Sequence, residues 1–240
     1  MKGYIFDFGG TIDTNGCHWG KFIWHAYERS CVPVNWGQFR EAYIHAERML
    51  GNNPIIQPTD TFFHTLDVKL RLEMEWLVSQ GYWYCSPLEI ERLHAAVLND
   101  LYGRVSELVA RGREVLLKLK PQYPLVLCSN FYGNLNAVLK EFQLDNIFQD
   151  VVESAAVGIR KPDAAIYELA LKSLGGKEAA ADIVVVGDSL KNDIRPAHLL
   201  GCQTVWLKGE PWDSEAAEEI PQHPAEADRV VTDITELIID

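Results

Sequence analysis

Short, continuous apolar runs are the feature that most limits what this 240-residue chain can fold into. Tyr4-Ile5-Phe6, Leu125-Val126-Leu127-Cys128, Ile183-Val184-Val185-Val186 and Thr204-Val205-Trp206-Leu207 are too brief for helices. They lack the polar alternation of a strand with one wet face. Continuous apolar strands belong to a parallel sheet covered on both sides. Val151-Val152 and Val230-Val231 are weaker candidates of the same kind. Between the runs lie segments of helical period. Leu135, Val138, Leu139 and Phe142 fall at i, i+3, i+4 and i+7, with Asn134 placed to cap them. Ile166, Leu169, Ala170 and Leu174 repeat the pattern after Pro162-Asp163, and Gly175-Gly176 close it. Val115, Leu116 and Leu119 form a further apolar face, stopped by Pro121. The alternation predicts an α/β fold, a Rossmann-like parallel sheet with helices on both faces.

Residues 15–105 break that rhythm. They are helix-period, rich in Trp, Tyr and His, and hold no convincing buried strand. The stretches at 51–58 and 81–87 read as loops between helices. This predicts a core domain of residues 1–14 and 106–240, with a helical domain of residues 15–105 inserted after the first strand.

Charge and cysteine usage narrow the function. With 22 Lys and Arg against 34 Asp and Glu, the net charge of −12 repels phosphate backbones and anionic lipid. Nucleic acid and membrane are therefore not expected as partners. A small anionic substrate stays open, because a bound metal reverses the field locally. Cys17, Cys31, Cys85, Cys128 and Cys202 are odd in number and lack zinc or redox spacing. Reduced thiols and the absence of a leader-like apolar segment at the start lead to an expectation of a cytoplasmic protein.

In an open parallel sheet, ligands bind beyond the carboxyl ends of the strands. The first run ends in Asp7, followed by Phe8-Gly9-Gly10-Thr11-Ile12-Asp13; the second ends in Ser129-Asn130. Gly187-Asp188-Ser189 comes after the Ile183 run, with Asp193 five residues past Asp188, and Lys161 precedes Pro162 between these two strands. Each group alone has an ordinary reading: a turn, a helix cap, a solvated lysine. All four occurring in order at strand ends of one sheet point to a site of carboxylates, a hydroxyl, an amide and a cation.

This set resembles the four motifs of the haloacid dehalogenase-like hydrolase superfamily. Asp7-Phe8-Gly9-Gly10-Thr11 is similar to the first, Ser129-Asn130 to the second, Lys161 to the third, and Gly187-Asp188-Ser189 with Asp193 to the fourth. The insert resembles the family's α-helical cap of the first type. The resemblance implies a phosphatase of small phosphorylated metabolites, with Asp7 as nucleophile forming an aspartyl-phosphate. It implies Mg²⁺ held by Asp7, Asp188 and the Gly9 carbonyl. Ser129, Asn130 and Lys161 would bind phosphoryl oxygens, Thr11 would contact substrate or buttress the loop after the nucleophile, and Asp193 would orient the metal's waters or Lys161.

One position departs from the pattern. Family phosphatases carry a general acid–base Asp two residues after the nucleophile, and here Gly9 stands there. Phosphonate-cleaving members also lack it and use a cap lysine, for which Lys21 and Lys69 are the available side chains. A cap histidine among His18, His25 and His45 could substitute for the acid. A member that binds a phospho-ligand or a protein without turnover is the reading of a different class. Dehalogenases lack the acid too, but they do without the acidic fourth motif present here.

Overall fold

The computed structural model describes residues 2–212 and 227–238. Its centre is a six-stranded, fully parallel sheet in the order β3-β2-β1-β4-β5-β6. The strands are β1 (Gly3–Phe6), β2 (Leu125–Ser129), β3 (Asp150–Glu153), β4 (Ile183–Gly187), β5 (Gln203–Leu207) and β6 (Arg229–Val231). Both weak candidates thus pair: Cys128 aligns with Val152, and Trp206 with Val230. β1 is central, its Tyr4 in register with Leu125 on one side and Val184 on the other. The chain steps outward from β1 through β2 to β3, then returns to β4 on the opposite side. That reversal opens a crevice at the carboxyl ends of β1 and β4.

The central strands β1, β2 and β4 are buried along their whole length because both faces of the sheet are covered there. Ile5, Val126, Cys128 and Val185 pack against Ile166, Tyr167, Ala170 and Leu171 of α7 (Ala165–Lys172) and Ala197 of α8 (Arg195–Leu199). Tyr4, Phe6, Leu127, Val184 and Val186 point the other way, toward Val109, Val115 and Leu116. Side chains of successive strand residues alternate between faces, and here both faces are dry.

The segment after β1 is helical: α1 (Trp19–Arg29), α2 (Trp36–Asn52), α3 (Phe62–Ser79) and α4 (Pro87–Leu119). α2 begins with a capping box in which Asn35 and Gln38 exchange side-chain and backbone bonds. α4 spans 33 residues, about 50 Å at 1.5 Å per residue, and crosses position 106 unbroken. It buries Leu93, Val97 and Leu101 toward one end and the sheet-facing Val109, Val115 and Leu116 toward the other.

The cap of α5 (Leu135–Glu141) departs from expectation. Asn134 makes no capping bond; its buried amide donates to Asp60 O (2.9 Å) and Thr65 Oγ1 (2.8 Å). Glu153, at the end of β3, accepts from Gly133 N (2.6 Å) and lies 3.4 Å from Leu135 N instead. A carboxylate from the neighbouring strand suits a helix N-terminus better than an amide, because it also meets the helix dipole. Asn134 is thereby left to tie the start of α5 to Asp60 and to Thr65 of α3. Short α6 (Ser154–Val157) comes directly after β3. Among the described residues no helix is long and apolar enough to cross a membrane.

Candidate active site

Asp7 comes directly after β1 and is almost fully buried. Its Oδ1 accepts from Lys161 Nζ at 2.7 Å, and the same ammonium donates to Asp193 Oδ1 at 2.7 Å. Tyr167 OH reaches Asp193 Oδ1 at 2.8 Å, and Ser189 N donates to Asp193 Oδ2 at 3.0 Å. Asp193 is therefore engaged at both oxygens in holding Lys161. Asn130 fixes the Lys161 backbone reciprocally: Lys161 N donates to its Oδ1 (3.0 Å), and its Nδ2 donates to Lys161 O (3.2 Å).

Thr11 joins the first and fourth strand ends. Its hydroxyl accepts from Asp188 N (3.1 Å) and lies 3.2 Å from Asp188 Oδ1 and 3.4 Å from Asp7 Oδ2. One hydroxyl proton thus bridges two carboxylates. Thr11 is fully buried, so this bracing is what its side chain does here. Trp206 in β5 donates its indole N–H to Asp188 O at 2.8 Å. Ser189 caps the next turn, accepting from Asn192 N. Asp188 is therefore free of the capping role that an Asp after a strand often has.

The turn after Asp7 needs its glycine. Gly10 has φ +94°, and a Cβ there would sit 2.5 Å from the Asp188 carboxylate. Asp13, fully buried, accepts from Gly10 N (2.7 Å) and Trp19 Nε1 (2.9 Å), which pins the turn to the start of α1.

The result is a dense negative site. Single oxygens of Asp7, Asp188 and Asp193 lie within 4.8 Å of one another. Burial raises the Asp7 carboxyl to about 6, against Lys161, which lowers it. Burial, then the charges of Asp193 and Asp7, push Asp188 well above the usual carboxylate range. Desolvation opposes charge on Lys161, but Asp193 and Asp7 outweigh it and keep the ammonium protonated. A hard divalent cation is the species whose binding relieves this repulsion. Ser129 Oγ is buried beside Asp7 without a well-formed hydrogen bond within the protein. A buried hydroxyl left that way is poised for an incoming acceptor.

Asp7, Gly9, Ser129, Asn130, Lys161, Asp188 and Asp193 all line one cavity of about 450 Å³. His18, Trp19 of α1, Tyr43 and Glu47 of α2, and Lys69 of α3 line it as well. Of the three histidines singled out in the sequence, only His18 lines it. His25 is exposed between Glu28 and Glu210, and His45 stacks on Trp76. His18 Nδ1 accepts from Gly20 N at 3.0 Å and so caps α1. Glu47 and Tyr132 were not legible as site residues. The available signal was a Lys and a Glu four apart, Lys69 and Glu73, within the apolar face of α3.

A family model for haloacid dehalogenase-like hydrolases matches residues 1–201. The chain belongs to this family. Among curated relatives, a glyceraldehyde 3-phosphate phosphatase of Pyrococcus furiosus is 31% identical over 133 residues, 54% of this chain and 52% of that protein. A phosphoserine phosphatase of Thermus thermophilus is 37% identical over 75 residues, 30% of this chain and 29% of that protein. The chain thus aligns with about half or less of these relatives' length. Among solved structures, the magnesium-bound hydrolase YfnB of Bacillus subtilis superimposes with TM-score 0.55 at 14% identity, covering 98% of this chain and 96% of that one. At that identity the match speaks for the haloacid dehalogenase-like fold alone.

Proposed function

We propose that this hydrolase is a Mg²⁺-dependent phosphatase of small phosphorylated metabolites. The observation that carries the reading is Asp7, buried and hydrogen-bonded to Lys161, facing a cavity beside the Asp188 carboxylate and the unpartnered Ser129 hydroxyl. The names of the two phosphatase relatives support it.

Asp7 attacks phosphorus with one carboxylate oxygen, the bond from phosphorus to the leaving oxygen breaks, and an aspartyl-phosphate forms on Asp7. Water then cleaves that acyl phosphate, returning Asp7 and releasing inorganic phosphate. Lys161 neutralises charge as it builds on the phosphoryl oxygens, and Ser129 donates to one of them. Asp193 and Tyr167 hold Lys161 in position for this. Asp7, Asp188 and the Gly9 carbonyl would hold the Mg²⁺. When bound, it screens the repulsion between the carboxylate nucleophile and the phosphate. Residues 15–105 serve as the cap, walling the cavity and excluding bulk water during phosphoryl transfer.

Cleavage of a phosphonate through a Schiff base is less well supported. That chemistry needs a neutral amine, and Lys69 is ion-paired with Glu47. Lys21 lies 3.9 Å over the Trp36 ring and does not line the cavity.

Asp7→Asn tests the proposal. Phosphate release from p-nitrophenyl phosphate should fall to background in the variant, with circular dichroism unchanged. Activity within tenfold of wild type would remove Asp7 as nucleophile.

A further inference from the structure

The cavity's inner end handles phosphorus; its outer end is built for something else. Glu47 and Lys69 face each other across α2 and α3, with Lys69 Nζ donating to Glu47 Oε1. Tyr132, just past β2, reaches Glu47 Oε1 at 3.1 Å and Oε2 at 3.2 Å. The Lys69 side chain is 6% exposed and that of Glu47 35%, so the carboxylate faces the cavity more openly. The ammonium lies 4.7 Å from the Tyr43 ring centre and 5.9 Å from that of Trp19.

Given the phosphatase reading, we propose that the Glu47–Lys69 pair is the leaving-group subsite and selects phosphomonoesters of uncharged, hydroxyl-bearing compounds, polyol or sugar phosphates. The pair carries no net charge. A hydroxyl donates to Glu47 and accepts from Lys69, satisfying both without bringing a new charge into a buried place. A second anion on the substrate meets the Glu47 carboxylate, and an ammonium meets Lys69; each leaves a like-charge contact poorly screened by water. Burial works against ionising Glu47, but Lys69 overcomes this and holds the carboxyl below its usual range. Glu73, one turn beyond Lys69, is kept protonated by burial up to about 8, so it adds no charge at neutral pH. The rings of Tyr43, Trp19 and Tyr132 give the carbon skeleton apolar faces.

Steady-state phosphate release should be compared for glycerol 3-phosphate, 3-phosphoglycerate and O-phosphoethanolamine, with p-nitrophenyl phosphate reporting the chemistry itself. The expected kcat/KM for glycerol 3-phosphate is at least tenfold above both charged-tail esters. Glu47→Gln leaves Lys69 without its counter-charge, so the preference for glycerol 3-phosphate over 3-phosphoglycerate should fall at least tenfold. Lys69→Gln should move the balance toward O-phosphoethanolamine by a similar factor. Wild-type protein that prefers 3-phosphoglycerate or O-phosphoethanolamine, or a ratio unmoved by Glu47→Gln, overturns the proposal. If no ester is turned over, p-nitrophenyl phosphate included, the phosphatase reading falls separately. The subsite is then judged by tryptophan-fluorescence titration with the same three esters. Tighter binding of glycerol 3-phosphate supports it, and equal affinities overturn it.

Discussion

Glu73 gives the sharpest stability prediction. It lies on the buried face of α3 among Leu66, Leu70, Met74 and Leu77, with no exposed surface. Tyr27 OH donates to its Oε2 at 3.0 Å, while Oε1 has no partner. Burial raises its carboxyl from an ordinary 4.5 to about 8, against the lowering pull of Lys69 and the Tyr27 bond. Between those two values the folded chain holds a proton that the unfolded chain has released. Stability must then fall as pH rises across the window, by up to about 1.4 kcal/mol per pH unit. The gap from 4.5 to about 8 sums to about 5 kcal/mol. Below pH 4.5 both states are protonated and the group contributes nothing.

Glu73→Gln keeps the shape and removes the titration. Urea unfolding followed by tryptophan fluorescence, from about pH 5 to about pH 8, gives both stabilities. The variant's stability relative to wild type should climb with pH by several kcal/mol over that range. A domain's whole margin is about 5–15 kcal/mol, so a change of this size is plain. Parallel pH profiles for the two proteins would show that Glu73 ionises freely in the folded chain, by water entry or a partner at Oε1.

Three further outcomes are expected. Asp188→Ala should weaken Mg²⁺ binding at least tenfold in a calorimetric titration and lower turnover with it; equal affinities would return Asp188 to a structural role. Gly9→Asp should be accommodated, since a Cβ at Gly9 meets only Trp19 Nε1 at 3.9 Å, and should raise phosphatase turnover toward the roughly 10²–10⁴-fold that a general acid–base supplies. Its counterpart in wild type is acid-quenched protein carrying covalent phosphate on Asp7, read by mass spectrometry. Asn134→Ala should cost about 1–3 kcal/mol in urea unfolding, because it leaves Asp60 O and Thr65 Oγ1 without their buried donor.

The centre of the sheet was legible because burial on both faces leaves an unbroken apolar signature in β1, β2 and β4, whereas the edge strands β3 and β6 show only a Val-Val pair each. The inner half of the site was legible for a related reason. Parallel strands aligned in register bring their carboxyl ends together, so the residues just past Phe6, Cys128 and Val186 already include Asp7, Ser129 and Asp188. The outer half obeys no such rule. Glu47, Lys69 and Tyr132 meet only because α2 and α3 fold over the sheet, and their separations of 22 and 85 residues carry no periodic signal. Asn134 shows the limit at short range. Its position before Leu135 fits a cap, but a carboxylate 18 residues away in β3 binds Leu135 N more favourably, and no local pattern reveals that competitor.

Crowded charge also explains why Gly9 is tolerable. Asp7, Asp188 and Asp193 crowd within 4.8 Å, and Lys161 is hydrogen-bonded to two of them. Fully ionised, these four groups sum to −2, which one divalent cation balances. Asp13, buried behind the turn, already feels this field: burial chiefly raises its carboxyl to about 8, against its bond to Gly10, which lowers it, and with the Asp7 charge, which raises it further. A carboxylate at position 9 adds another negative charge to the same cluster, beside a Trp19 N–H already engaged by Asp13. Its own ionisation is thereby opposed, which moves its titration toward neutral pH, where it can give a proton to the leaving group and take one from water. The glycine therefore lightens the electrostatic load on the fold and gives up a proton carrier in exchange. If turnover of the acyl phosphate is slow in wild type, Gly9→Asp should relieve it while lowering stability as pH rises, two effects of one charge that move in opposite directions.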